Sequence, residues 1–459
     1  MSKDTLERDP DEVNKGSTLG RLRLRHFETN EIILIPTPSK DPNDPLNWSK
    51  SFRIYIAALV CLAMFFCTFM AAGPSVAILE TTMDFFGPPG PSFQASIAKV
   101  AYFFTTAALL QGVGCLLWVP IIIKYGRRPV YVLSFLGYTA CIAWAGAATS
   151  YNSELAARIV MGFFAGAGEC LGPITIADIF FLHERGAYMA LYTVALSCGV
   201  SGGIVISGLI TISNSWRYIY WVATALTGAL TVLVIFTMPE TAFNRSPESV
   251  PTNHENVSEL YTVTNKEPLE DKVNHVTSSS SATSADFVAS SHANPKETYL
   301  QSLRLYHGKF TEESLIRLAI RPVPLLIVPP VLWATLVMAV TIGFLVAISS
   351  NFASAFAQLY HFQPYQSGLC FVAGVIGAFF AIFFGGYVSD KIADFFTRRN
   401  KGIREPEMRL PAATIGLITA PVGLVLYGCG IQNQLHWMIP TLGLGLCEVT
   451  FHSPMTMAC

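Results

Sequence analysis

Charged residues fall on this chain in clusters, and the stretches between them are long and almost wholly apolar. Arg53 and Glu80 bracket 26 uncharged positions, Lys99 and Lys124 bracket 24, and Arg128 and Glu154 bracket 25. Arg185 and Arg217 bracket 31, Arg217 and Glu240 bracket 22, and 68 uncharged positions separate Arg321 from Asp390. A last stretch, rich in Ala, Leu and Gly, runs from Arg409 to Glu448. A helix crosses roughly 30 Å of hydrocarbon with about 20 residues, so each stretch predicts one or two spanning helices. Ten spans are predicted, near 54–78, 98–122, 129–149, 156–178, 187–211, 217–238, 325–350, 366–388, 411–431 and 436–457. The fold class is an all-α membrane protein.

Spans six and seven are separated by about 85 residues, a length that marks a linker between two units. The Ser/Thr-rich tract around Ser278–Ser284 predicts disorder within it. The expected organisation is a tail over 1–53, a six-helix bundle over 54–238, a linker over 239–324 and a second bundle of four helices over 325–459. Basic residues set the orientation. Of the 30 Lys and Arg, 27 lie in the tail, in loops 2–3, 4–5 and 8–9, and in the central linker, all on one side of such a bundle. The others, Lys99, Arg158 and Arg217, each begin a span. The tail and the linker are therefore expected in the cytoplasm, where the sequons at Asn244 and Asn256 escape glycosylation. Trp48, Trp216, Trp333 and Trp437 stand near span ends, as interfacial anchors do.

Composition narrows the function. Charged residues make up 13% of the 459 residues against about 25% in a soluble protein, and the mean hydropathy is +0.44. A net charge of −1 points to no nucleic-acid partner. The ten cysteines are scattered singly, nine of them in apolar spans, with neither a disulfide framework nor metal spacing. No cofactor and no metal is expected. No nucleophile–base set and no phosphate loop argues for an enzyme. The polar first 50 residues hold no cleavable signal, so the first span inserts itself.

Ionisable residues inside a membrane are functional by default. Span 4 holds two, Arg158 and Glu169, eleven residues apart on nearly one helix face. Their separation along the axis is roughly 16 Å, too far for a direct pair. Glu169 lies near mid-membrane, where a charge costs about 2.5–3.5 kcal/mol on insertion scales. A carboxyl there suits the binding and release of a proton, and a structural hydrogen bond is the bland alternative. Asp178 is expected to cap or pair at the end of the span, near His183-Glu184-Arg185-Gly186. Glu448, in the last span, faces either a cavity or a membrane surface. His361 is expected on a solvated outer loop.

The two predicted bundles echo one another. Loop 2–3 reads Gly114-x11-Gly126-Arg127-Arg128-Pro129, and loop 8–9 reads Gly386-x3-Asp390-Lys391 followed by Arg398-Arg399. Gly permits a tight turn, and Arg can bond the free carbonyls of a helix end. Lys124-Tyr125-Gly126-Arg127-Arg128-Pro129 resembles the loop signature of the major facilitator superfamily. Further motifs are similar to its fungal drug:proton antiporter branch: Asp41-Pro42-Asn43-Asp44-Pro45-Leu46-Asn47-Trp48-Ser49, Arg158-x3-Gly162-x3-Gly166, Trp216-Arg217-Tyr218-Ile219-Tyr220-Trp221, Pro239-Glu240-Thr241 and Glu405-Pro406-Glu407-Met408-Arg409-Leu410. Span 5 reads Gly199-x3-Gly203-Ile204-x2-Ser207-Gly208 where that group has Gly-x3-Gly-Pro-x2-Gly-Gly.

The resemblance implies a two-bundle fold and secondary active transport of a small organic molecule: a drug, toxin or secondary metabolite carried outward against protons. Binding would lie near the midplane between bundles that rock against each other. Glu169 would carry the proton and Arg158 would tune it or touch substrate. Gly126, Arg127, Arg128, Gly386 and Asp390 would bias the conformational states. Gly199, Gly203 and Gly208 would let helices approach closely at the seam between the bundles. A monomer in the plasma membrane of a fungal cell is implied, with substrate and protons as its partners besides the lipid bilayer. The substrate-binding residues stay unidentified. The departures in span 5 leave uptake of a nutrient or polyamine open. Loop 2–3 has Ile123 where the family has an acid. The family's unit is twelve helices, so ten imply a chain stopping short of helices 11 and 12, with an incomplete second bundle. A non-transporting remnant is the third reading.

Overall fold

The computed structural model describes residues 36–244 apart from 37 and 40, residues 298–382, residues 388, 391, 392, 395, 396 and 399, and residues 410–458. Helix α1 (Lys50–Ala72) starts where the Asp41–Ser49 motif closes on itself. Asp44 accepts from the Leu46 and Ser39 amides at 3.0 Å each, and Asn47 Nδ2 donates to the Ser39 and Asp41 carbonyls at 2.8 Å each. Ser49 then caps the first turn through Phe52 N–H. A short turn at Pro74 separates α1 from α2 (Ile78–Phe86), and the two form one span. There follow α3 (Phe93–Tyr125), α4 (Arg128–Ala147), α5 (Tyr151–Ile179), α6 (Leu182–Ile210) and α7 (Arg217–Thr237). The short α8 (Leu315–Ile320) precedes α9 (Pro329–Tyr360), α10 (Pro364–Cys370), α11 (Val372–Ile382), α12 (Leu410–Gln432) and α13 (Met438–Ala458).

Among the described residues, eight helices are long and apolar enough to cross a membrane, α10 and α11 counting as one. Two shorter apolar stretches, Ile418–Gln432 and Met438–Val449, occupy the places of spans nine and ten. Helix boundaries fall within a few residues of those expected in most spans, but the first continues eight residues further, through Glu80 and Asp84 to Phe86, and α9 continues ten residues further, to Tyr360. There the chain turns at His361, whose φ of 54° is left-handed. The Ser278–Ser284 tract and most of loop 8–9 lie outside the described residues.

In the first bundle α3 packs on α5, α1 on α6, and α4 on both α5 and α7. Its core is aromatic, with Phe69, Tyr131, Phe135, Tyr138 and Tyr220 fully buried. Large apolar side chains such as Leu109, Leu133 and Phe236 stand exposed on the outside, as lipid contact requires. In the second bundle α13 packs on α11 and α12. The seam between the bundles is formed by α6 against α10, α11 and α13, and by α9 against α2, α3 and the turn at Pro74. Gln358 Nε2 reaches Gln94 Oε1 across it at 3.3 Å. The linker's described end folds back on the first bundle: Phe310 N–H donates to the Lys124 carbonyl (3.0 Å), Lys124 Nζ donates to the Glu313 carbonyl (2.9 Å), and Leu318 of α8 is buried.

Candidate functional site

Arg158 and Glu169 both sit on α5, yet their hydrogen-bond partners are all different. Arg158 is turned into the first bundle, 3% exposed. Its Nε lies 3.4 Å from Glu154 Oε1, Nη1 donates to the Met70 carbonyl at 2.8 Å, and Nη2 donates to the Tyr220 hydroxyl at 2.5 Å. Its guanidinium also stacks over the Tyr220 ring, 5.0 Å from the centroid. The group lines a crevice with Ser75, Thr81, Phe104 and Ser350, the last contributed by α9 across the seam. Glu169, half-buried, turns instead toward α3. Its Oε2 accepts from Gln111 Nε2 at 3.1 Å and from the Cys115 thiol at 3.8 Å, while Tyr192 donates to its backbone carbonyl at 3.1 Å. Helix α3 comes this close because Gly114, Gly162 and Gly166 remove side chains from the contact. A Cβ on Gly114 would meet the Phe163 carbonyl at 2.6 Å, and Cβ atoms on Gly162 and Gly166 would collide with the carbonyls of Ala107 and Gln111.

The glycines of α6 divide their work. Gly199 and Gly203 face α1: a Cβ would meet the Phe65 carbonyl at 2.6 Å and Phe69 Cα at 2.9 Å respectively. Gly208 faces α10 across the seam, 3.2 Å from Tyr365 Cα and 3.3 Å from Gly368 Cα by the same measure. Of the three glycines expected at the seam, Gly208 lies there, whereas Gly199 and Gly203 let α6 approach α1 inside the first bundle, because that face of α6 turns inward.

A third cluster occupies the face where the basic loops gather. Gly126 ends α3 with φ 96°, a conformation that favours glycine. Arg127 pairs with Asp178 at 2.9 Å, joining the start of α4 to the end of α5. Glu240, just after α7, accepts from the amides of Arg127 (2.8 Å) and Arg128 (3.1 Å). A carboxylate at a helix N-terminus satisfies free amides and complements the helix dipole. Arg128 Nη2 and Nη1 in turn donate to the Ile235 carbonyl (2.8 Å) and the Met238 carbonyl, at the end of α7. Arg53 pairs with Glu184 at 3.6 Å on the same face. Replacing Glu240 by alanine is expected to destabilise the first bundle by about 0.5–2 kcal/mol, the usual worth of a helix cap, read as a lowered melting midpoint in detergent. Gly386 and Asp390, the second copy of the loop motif, lie outside the described residues.

Several site residues carry little sequence signal. Glu154 stands four positions before Arg158, a spacing at which helix neighbours pair, and is detectable in principle. The roles of Tyr220 and Gln111 are not, because their partners lie on other helices. Among the described residues no group of three His, Cys, Asp or Glu side chains is placed to hold a metal ion.

Residues 49–459 match the family model of the Major Facilitator Superfamily. The chain belongs to this superfamily. Similar fungal proteins agree with it. The MFS transporter cpaT of Aspergillus oryzae is 25% identical, over 88% of this chain and 73% of its own length. The MFS-type transporter penM of Penicillium rubens is 26% identical, over 88% and 70%. The transporter mfc1 of Schizosaccharomyces pombe is 26% identical, over 93% and 82%. Among solved structures, the xylose transporter XylE from E. coli in a partially occluded inward-open conformation superposes with a TM-score of 0.56 at 14% identity, covering 89% of this chain and 86% of that one. As a member of the Major Facilitator Superfamily, the protein is a multi-pass membrane protein and a secondary transporter, not an enzyme.

Proposed function

We propose that this transporter exports a small organic molecule in exchange for protons, with Glu169 as a proton carrier. The observation that carries the reading is a half-buried carboxyl deep within α5, held by Gln111 and Cys115 on the neighbouring α3. A carboxyl at that depth is retained against its cost for a function. The basic face carries Arg53, Lys124, Arg127 and Arg128 and is read as cytoplasmic, in a plasma membrane, with the N-terminus inside. There the Gly126-Arg127-Arg128 corner, tied to Asp178 and Glu240, biases the conformational equilibrium. Arg158, bound within the bundle to Glu154 and Tyr220, organises the wall of the crevice on the opposite face.

The test uses the purified chain in proteoliposomes holding a pH indicator and one lipophilic fluorescent dye. An imposed proton gradient is expected to drive the dye against the proton flow. Glu169→Gln is expected to abolish the gradient-driven flux while dye exchange at equal pH persists. Dye movement unaccompanied by protons in the unaltered chain would remove the coupling, and unchanged driven flux in Glu169→Gln would remove Glu169 from it.

A further inference from the structure

Glu448 lies ten residues into α13, roughly 15 Å from its start, and is fully buried, at 0% exposure. Its Oε1 accepts a hydrogen bond of 3.1 Å from Ser201 Oγ on α6, itself fully buried. Helix α6 belongs to the first bundle and α13 to the second, so the bond crosses the seam midway along α13. Two glycines of α11 close the remaining space. A Cβ on Gly374 would stand 2.7 Å from Ser201 Oγ and 3.4 Å from Glu448 Cγ, and one on Gly377 would stand 3.2 Å from Glu448 Cβ.

On the carrier reading above, we infer that Glu448 is a second proton-binding site of the transport cycle, built into the seam with the Ser201 hydroxyl as its partner on the other bundle. The packing favours a proton as the ligand, because Glu448 is fully buried with Gly374 and Gly377 close against its Cγ and Cβ, and a proton needs no cavity. A hydroxyl donates to a carboxylate and accepts from a carboxylic acid, so Ser201 pairs with either form. When the bundles rock, α6 and α13 move relative to each other and the surroundings of Glu448 change. Binding to a group whose surroundings differ between two states is linked to those states. Glu169 and Arg158 differ in this respect, since the polar partners named for them, Gln111, Cys115, Glu154, Met70 and Tyr220, belong to their own bundle. Among the described side chains, the ionisable groups that act on Glu448 are Cys198 of α6 and Cys447 of α13, and His452 stands four positions further along α13 in the sequence. Helices α9 and α11 contain no charged residue, and His183, Glu184 and Arg185 lie at the far end of α6.

Infrared titration of the full chain in liposomes tests the inference without knowledge of the substrate. The unaltered protein is expected to show a carboxylic C=O band that appears and disappears with pH. Glu448→Gln is expected to delete one component, Ser201→Ala to keep that component at a shifted frequency, and Glu169→Gln to leave it in place. A component that persists in Glu448→Gln overturns the inference, as does an unaltered protein with no titrating carboxyl band. If Glu448→Gln fails to fold, Ser201→Ala decides, and a spectrum identical to the unaltered one sinks the proposal. Loss of a component only in Glu169→Gln leaves the Glu169 reading standing and removes Glu448. Loss only in Glu448→Gln does the reverse.

Discussion

Substituting Arg158 with methionine is expected to lower the stability of the protein by about 3–5 kcal/mol, the penalty for stripping one partner from a buried ion pair. Glu154, at 0% exposure, would keep its carboxylate in the bundle with the neighbouring guanidinium gone. The Met70 carbonyl and the Tyr220 hydroxyl would each lose a donor as well. The melting midpoint in detergent measures the loss. The double variant Arg158→Met with Glu154→Leu is expected to recover most of it, because replacing both members of a buried pair by apolar residues is close to neutral. A double variant no more stable than the single would show that the crossing of α1, α5 and α7 depends on the hydrogen bonds from Arg158 and not on charge compensation.

Placing even a methyl group on Gly162 is the second change with a large expected effect. Its Cβ would overlap the Ala107 carbonyl and stand 2.9 Å from both Ala107 C and Cα. Backbone atoms cannot rotate away as a side chain can, so α3 must shift off α5. Overpacking of this kind costs about 1–3 kcal/mol. Gly112, on the same helix, supplies the control, since a Cβ there meets nothing within 4 Å. Gly112→Ala is expected to be neutral or to stabilise by up to about 1 kcal/mol from helix propensity. The shift in Gly162→Ala also separates Gln111 from Glu169. Gradient-driven dye flux is therefore expected to fall in Gly162→Ala more than in a variant of equal melting midpoint altered elsewhere. Equal flux in the two would disconnect the α3–α5 contact from Glu169.

Both changes concern motifs visible in the chain, but what the motifs do is visible only in part. Arg158-x3-Gly162-x3-Gly166 reads as one signature along α5, yet Arg158 is turned toward α1 and α7 while the two glycines meet α3. Gly199 and Gly208 belong to one pattern along α6, yet the first touches α1 and the second α10 across the seam. Pro239-Glu240-Thr241 marks the end of α7, and nothing in its composition says that Glu240 caps α4. Periodicity along a helix orders its faces; it does not name the helix opposite.

The amino-acid sequence by itself determined that this is a helical membrane protein and where most of its spans lie, because the cost of charge and of unpaired backbone in hydrocarbon acts locally, stretch by stretch. It also marked Arg158 and Glu169, since an ionisable residue in an apolar run stands out without any partner. Only the tertiary structure decided who those partners are: Glu154, Met70 and Tyr220 around Arg158, Gln111 and Cys115 beside Glu169, and Ser201 across the seam from Glu448. Such pairings join residues as much as 247 positions apart. They arise from how whole helices pack, and packing depends on every face at once.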